Sequence, residues 1–420
     1  MRIFGIRVFY GWWIVLGALG VAAVAGGTYT LGFTTFFLPL EEEFGVTRGT
    51  LALMISVGTF SEATTGPIFG YFLDKVGPRK VMLFGVTILG AGFLLMSTAD
   101  SILAVGIFYV LFISATVNAA TFLPPNSAIA NWFTKRRSMA LAIAMCGYGL
   151  GGFVVRPIQW VIDEHGWRTA AVVIAIIVWV VGYGMALIIR SRPEDYGQLP
   201  DGEPVADTDK ARAFAQARQE GFTFRETLRT RAFWLMSGSF MIRGFVLLAM
   251  TSQMVPMVKA KGFSEGTGAS LLGIFGIVMI CSRLTSGYLA DKYPKHIMVG
   301  MMGGLLAASM VVMVFATQMW HLYLFIVFYA IAWGGSGASM ILTLRADYFG
   351  RKAFGRITGF STFLTTSGSL LGAVYAGEIF DATGSYDIAF YSFIGCAIVS
   401  MFMMFAAKKP ARPQVTTLAV

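Results

Sequence analysis

What most limits this chain is a succession of apolar runs, each of about 20 residues and so long enough to cross roughly 30 Å of hydrocarbon as a helix. The runs are continuous rather than alternating. In lipid only helices and closed barrels satisfy every backbone polar group, so continuous runs imply an all-α membrane protein. Only 13% of the 420 residues are charged and 56% are hydrophobic. Soluble domains carry about 25% charged residues, which excludes a soluble fold.

Twelve transmembrane helices are expected, at about 11–39, 48–72, 80–98, 102–132, 138–161, 168–190, 232–257, 267–289, 298–317, 321–345, 356–378 and 387–407. The first run follows Met1-Arg2-Ile3 directly and lacks a small-residue cleavage site, so it reads as a retained helix rather than a signal peptide. The polar stretch Ser191 to Thr230, with Pro193, Pro200 and Pro204, divides the chain into a six-helix half (1–190), a linker (191–230) and a second six-helix half (231–420). Within the linker, the Ala-rich stretch Asp209 to Glu220 suits a surface helix.

The net charge of +10 is topological. Cations gather in alternate loops: Arg2 and Arg7; Lys75, Arg79 and Lys80; Lys135, Arg136 and Arg137; the linker; Lys292 and Lys295; Arg351, Lys352 and Arg356; Lys408, Lys409 and Arg412. The other loops hold Arg48, Arg168, Lys259 and Lys261 beside the acids Glu41, Glu42, Glu43, Asp163, Glu164 and Asp381. By the positive-inside rule both termini are cytoplasmic, and the expected location is the cell inner membrane, with no nucleic-acid partner. Cys146, Cys281 and Cys396 fall inside apolar spans without metal-ligand spacing, and His165, His296 and His321 fall at loops or membrane edges. No metal, cofactor or catalytic nucleophile is implied, and an enzyme is not expected.

Gly70-Tyr71-Phe72-Leu73-Asp74-Lys75 recurs as Gly287-Tyr288-Leu289-Ala290-Asp291-Lys292, each after the second span of its half. A parallel repeat of two six-span halves fits a transporter that rocks one half against the other. Gly70 and Gly287 allow close helix approach. Asp74 and Asp291 lie where they can cap amides or pair with a neighbouring cation, contacts suited to locking one alternating-access state.

Four ionisable residues lie within apolar stretches: Glu62, Arg156, Arg243 and Arg283. At about 1.5 Å per residue, Arg283 lies roughly 12 Å in from Asp291, and Glu62 and Arg243 about 18 Å in. By the same rise Arg156 is about 28 Å along, near the outer face, where attracting anions or pairing with an edge acid suits it better than a central role. A charge held at such depth marks a substrate or ion pathway, and a guanidinium offers a planar fork to a carboxylate. Burial disfavours the charged form of a carboxyl, which makes Glu62 the candidate to carry a coupled proton. A static pairing of Glu62 with Arg243 or with a Ser or Thr stands equally open.

Gly70-Tyr-Phe-Leu-Asp74-Lys-Val-Gly77-Pro-Arg79-Lys80 resembles the signature loop of the major facilitator superfamily; in the second copy Tyr293-Pro294-Lys295 replaces the Gly-x-Arg part. Asn131-Trp132-Phe133-Thr-Lys135-Arg136-Arg137-Ser-Met-Ala140, with Gly147-Tyr-Gly149-x-Gly151-Gly152, is similar to the fifth-span signature of monocarboxylate transporters. Phe9-Tyr10-Gly11-Trp12-Trp13 and Arg192-Pro193-Glu194-Asp195-Tyr196-Gly197 resemble bacterial members of the monocarboxylate and oxalate–formate group. The resemblance implies that Arg283 binds substrate carboxylate. It also implies Trp333 as an aromatic site residue and Phe122 at a place where a related pocket has tyrosine. The arginine's usual helpers are absent: Met279 stands where an acid is found one turn earlier, Leu31 in place of a first-span lysine and Thr365 in place of an eleventh-span lysine.

The resulting expectation is a secondary transporter of small, lactate-like monocarboxylates, with proton symport by alternating access. Proton-independent carboxylate exchange is the alternative, and a transporter-like sensor a remote one. Arg283 anchors the expected site, lined by Phe33, Leu31, Phe122, Asn126, Tyr148, Trp333 and Arg243. Glu62 handles the proton, and Gly70, Asp74, Arg79, Gly287 and Asp291 serve gating. The partners are a small carboxylate anion, a proton and the lipid bilayer, with a monomer expected.

Overall fold

The structure is a computed structural model that describes residues 2–3, 6–7, 9–196, 198–202 and 221–411. The helix expected over 209–220 and the tail cation Arg412 lie outside the described residues. Apart from two antiparallel two-residue strands, Arg2–Ile3 and Ile6–Arg7, the described elements are helical.

Among the described residues, nine helical stretches are long and apolar enough to cross a membrane. One of them, Arg137–Ile188, is 52 residues long and contains two spans. It turns at Gly166, whose φ of +80° lies in the left-handed region that glycine enters without steric cost. Arg48–Val76 and Phe354–Thr383 have 29 and 30 residues and also span, although Ser and Thr dilute their hydrophobicity. The twelve spans are α1 (Gly11–Phe44), α2 (Arg48–Val76), α3 (Pro78–Ser97), α4 (Ile102–Trp132), α5 and α6 (the arms of Arg137–Ile188 before and after Gly166), α7 (Arg231–Ser252), α8 (Glu265–Ala290), α9 (Lys295–Val314), α10 (Met319–Phe349), α11 (Phe354–Thr383) and α12 (Asp387–Ala406). Four of them start on a side-chain cap: Thr47, Ser101, Thr230 and Ser264 each accept the amide three residues on, which satisfies a donor the helix itself cannot.

The helices form two compact units. One contains the described residues up to Phe224 together with Arg345–Phe360; the other contains Arg225–Leu344 and Ser361–Ala411. In the first, α1 packs on α5 and α3 on α6. Three π-helical turns interrupt it, at Gly26–Thr30 in α1 and at Tyr109–Ser114 and Asn118–Phe122 in α4. In the second, α9 packs on α12 and α10, and α8 on α10, around Leu247, Met250, Leu306, Met310, Phe325 and Phe390.

The aromatic motifs of the sequence form a single clasp in the first unit. Phe9 packs on Trp132 and Phe133, Tyr10 on Trp132, and Trp12 on Phe133. Trp132 Nε1 donates to the Arg190 carbonyl (2.8 Å), Tyr10 Oη to that of Ile188 (2.8 Å) and Asn131 Nδ2 to that of Ser191 (3.1 Å). The Arg190 guanidinium lies over the rings of both Tyr10 and Tyr196, at 4.1 and 4.2 Å, an attraction between cation and ring face. The ends of α1, α4 and α6 are thereby tied to the start of the linker.

A different contact in the first unit depends on missing side chains. A Cβ at Gly70 would lie 2.2 Å from the Gly355 carbonyl oxygen, and one at Gly355 would lie 2.4 Å from that of Gly70. Backbone faces backbone there, and neither can yield as a flexible side chain would. Gly70→Val is therefore expected to disfavour this packed arrangement by about 1–3 kcal/mol, read as a drop in the thermal unfolding midpoint in detergent. Gly20→Val, where an added Cβ meets nothing within 4 Å, is the control.

Candidate functional site

In the second unit, Arg283 lies well inside α8 and is buried, with 7% of its surface exposed. Its Nη2 contacts Met279 Sδ, one turn earlier, at 3.8 Å. A thioether is a soft, weak acceptor, so the place of the absent acid is taken by a group that does not neutralise the arginine. Ser286 Oγ donates to the Arg283 carbonyl (3.1 Å), and Ser282 Oγ donates to the Ile331 carbonyl (2.9 Å), which ties α8 to α10. α10 breaks immediately beyond, at Ser336 and Gly337, and a Cβ at Gly337 would lie 3.6 Å from Arg283 Nη2. Trp333, half-buried before the break, meets Phe275 edge to face at 6.3 Å. Arg283 and the α10 break thus lie together, with Trp333 one turn before the break.

Arg243 is 2% exposed. Its Nη1 donates to the Val299 carbonyl (2.9 Å) of α9, and its Nη2 to the Ala332 carbonyl (3.2 Å) and to Ser336 Oγ of α10. Thr365 Oγ1 donates to the Ser361 carbonyl (2.9 Å), an ordinary contact within a helix.

In the first unit, Glu62 of α2 is half-buried, and its Oε2 accepts a hydrogen bond of 3.0 Å from Tyr29 Oη. Its backbone carbonyl accepts from Asn118 Nδ2 (3.2 Å). Ser61 Oγ donates to the Val110 carbonyl (3.0 Å) and Thr65 Oγ1 to that of Ala115 (2.8 Å). Tyr29, Val110 and Asn118 all belong to the three π-helical turns. Such turns widen the helix, leave backbone carbonyls off the regular ladder and recur at functional sites. The structure therefore brings the Tyr29 hydroxyl to the one carboxyl inside α2's apolar stretch and joins the α2 backbone around it to α4. Glu62 and Arg243 each find these partners within their own unit.

The remaining positions sort by burial. Phe33 is 1% exposed and stacks on Tyr109 at 4.0 Å. Leu31 is 45% exposed, just past the first π turn. Phe122 is half-buried, and its carbonyl accepts from Asn126 Nδ2 (2.6 Å), while Asn126 Oδ1 is buried with no hydrogen-bond partner. Tyr148 is half-buried. Arg156 and Arg79 are exposed, Gly287 is buried and Asp291 closes α8.

Asp74 caps the first turn of α11. Its Oδ1 accepts from the Gly355 amide (2.7 Å) and its Oδ2 from the amide (3.0 Å) and Nε (3.2 Å) of Arg356. In the same unit, Arg137 Nη1 meets Asp347 Oδ1 at 2.6 Å, and Arg137 Nε donates to the Phe133 carbonyl at 3.0 Å. Arg345, 4% exposed, directs Nη1 toward the Thr358 carbonyl (3.3 Å). Sequence reasoning passed over Tyr29, Arg345 and the Arg137–Asp347 pair. Arg137 and Arg345 looked like ordinary charges at span ends, and the only pointer to Tyr29 was the Gly26-Gly27 pair before it.

A family model described as Major Facilitator Superfamily matches residues 17–373 and 286–419. The chain is 27% identical over 404 residues to the oxalate:formate antiporter of Oxalobacter formigenes, covering 94% of this chain and 91% of that one. It is 26% identical over 390 residues to monocarboxylate transporter 13 of Rattus norvegicus, covering 91% and 85%. Among solved structures it is similar to the transporter FucP in the outward conformation (TM-score 0.69, 16% identity, 95% of this chain and 98% of that one). It is also similar to the human organic anion transporter MFSD10 (TM-score 0.69, 15% identity, 93% and 98%).

Proposed function

Because the chain belongs to the major facilitator superfamily, a family of membrane transporters, we propose that it is a secondary carrier of small monocarboxylates, with Arg283 binding the carboxylate and Glu62 carrying a coupled proton. The observation that carries this reading is the Arg283 guanidinium, buried within α8 with a methionine sulfur one turn away. A fork of donors on a permanent cation recognises a carboxylate bidentately. Trp333, one turn before Gly337, suits the organic part of a small acid. The relatedness to proteins named for oxalate, formate and monocarboxylates supports the same substrate class. In this reading the protein works in the cell inner membrane with both termini cytoplasmic, by alternating access. Asp74 on the α11 amides is a contact that holds in one state and opens in the other.

Glu62 is the proton carrier because Tyr29 Oη can donate to its ionised form and accept from its protonated form, so the site tolerates both. Uptake of labelled lactate, oxalate and benzoate into proteoliposomes tests the whole reading. Native uptake is expected to rise as external pH falls, since protonation of Glu62 accompanies binding, while Glu62→Gln is expected to lose that response. Full proton-dependent uptake by Glu62→Gln would refute the assignment. The relation to an oxalate:formate antiporter favours one second reading, carboxylate exchange without a proton. Uptake that requires an internal counter-anion and ignores the pH gradient would select it.

A further inference from the structure

Arg243 is a guanidinium enclosed in the second unit, and the oxygens it holds are two backbone carbonyls and a hydroxyl. A buried charge is costly unless something local compensates it. Here the compensation is the carbonyl end of a helix. The first segment of α10 ends at Gly335, so Ala332 belongs to the last turn, which carries the negative end of the helix dipole. Ala332 O accepts from Ser336 Oγ (2.5 Å) and from Arg243 Nη2 (3.2 Å), and Ser336 Oγ in turn meets Arg243 Nη2. The other arm of the guanidinium reaches the Val299 carbonyl of α9. One side chain from α7 therefore ties α9 to the end of the first α10 segment.

On its other side that segment is pressed against α8. A Cβ at Gly334 would lie 2.4 Å from the Met279 carbonyl oxygen and 2.9 Å from Ser282 Cβ, so the two backbones touch one turn before Arg283. We infer that Arg243 is a positioning residue for the anion site: by capping the first α10 segment it fixes where the helix breaks, and so sets Gly337 against Arg283. The inference rests on Arg283 being the carboxylate anchor. It assigns Arg243 a role through α10 rather than through contact with substrate. The planar fork spreads its donors over two nitrogens and so serves two helices at once; a lysine has three donors on a single compact nitrogen and restores the arrangement only in part.

The test uses the full-length protein in proteoliposomes, with whichever of labelled lactate, oxalate and benzoate the native protein accumulates. Arg243→Lys and Ser336→Ala, checked for folding by size exclusion and thermal midpoint, are each expected to raise KM about tenfold, as loss of one charge-assisted hydrogen bond implies, with Vmax within about threefold. Arg243→Met is expected to bind more weakly than Arg243→Lys. Competition by unlabelled lactate and oxalate is expected to keep its native ratio in Arg243→Lys, since Arg243 does not touch the anion. Unchanged KM in folded Arg243→Lys and Ser336→Ala would overturn the inference and leave Arg243 a purely structural tie. A native KM in Ser336→Ala together with an altered lactate-to-oxalate ratio in Arg243→Lys would overturn it in favour of direct contact. Arg283→Ala runs alongside: if it retains native uptake, the carboxylate reading itself fails, whereas its loss beside native Arg243→Lys and Ser336→Ala condemns only the role of Arg243.

Discussion

Arg283→Ala is expected to reduce saturable carboxylate uptake by about 100-fold or more, corresponding to roughly 3 kcal/mol for a lost bidentate, charge-assisted contact in a site shielded from water. Arg283→Lys should recover only a small part, because an ammonium presents a point charge where the carboxylate needs a fork. The measurement is initial uptake into proteoliposomes against substrate concentration, with the variants matched for amount and folding. Near-native KM in Arg283→Ala would remove the anchor and with it the proposed substrate class.

The second large effect concerns folding rather than transport. Arg137 is 6% exposed at its side chain and meets Asp347 at 2.6 Å. Asp347→Ala leaves the buried guanidinium without that carboxylate, and breaking such a pair from one side costs about 3–5 kcal/mol. Because Asp347 keeps 31% exposure, the lower end of that range is expected. Thermal unfolding in detergent should show the loss, whereas Arg137→Met combined with Asp347→Leu should recover most of it, since a well-packed apolar pair avoids the desolvation of both charges. A double variant as unstable as Asp347→Ala alone would show that the ion pair is not the origin of the effect.

The twelve spans could be read from the sequence because each apolar run answers to one physical demand, an internally satisfied backbone across hydrocarbon. Arg283 could be read for a similar reason, since a charge in an apolar run is conspicuous without knowledge of its neighbours. What faces what was harder to read. Each π-helical turn adds a residue to its helix, and one extra residue rotates everything beyond it by about 100°. The turns at Gly26–Thr30, Tyr109–Ser114 and Asn118–Phe122 therefore reset the faces of α1 and α4. Leu31, just past the first turn, is half exposed while Phe33 is enclosed against Tyr109, and Tyr29, within that turn, meets Glu62. Arg243 was visible as a buried charge, but its partners are carbonyls and a hydroxyl. Carbonyls are present at every residue, so no pattern of side chains announces which of them a cation will hold.

Asp74 and Arg137 both find their partners in the segment Arg345–Phe360, which belongs to the first compact unit although it lies beyond Leu344 in the chain. A cut at the polar linker therefore parts Asp74 and Arg137 from the partners they hold in this structure. A fragment ending at the linker would hold a carboxylate without the amides of α11 and a guanidinium without its carboxylate. A separately produced peptide spanning residues 345–360 is what such a fragment would need as its complement, much as a split protein regains its missing strand or helix from solution.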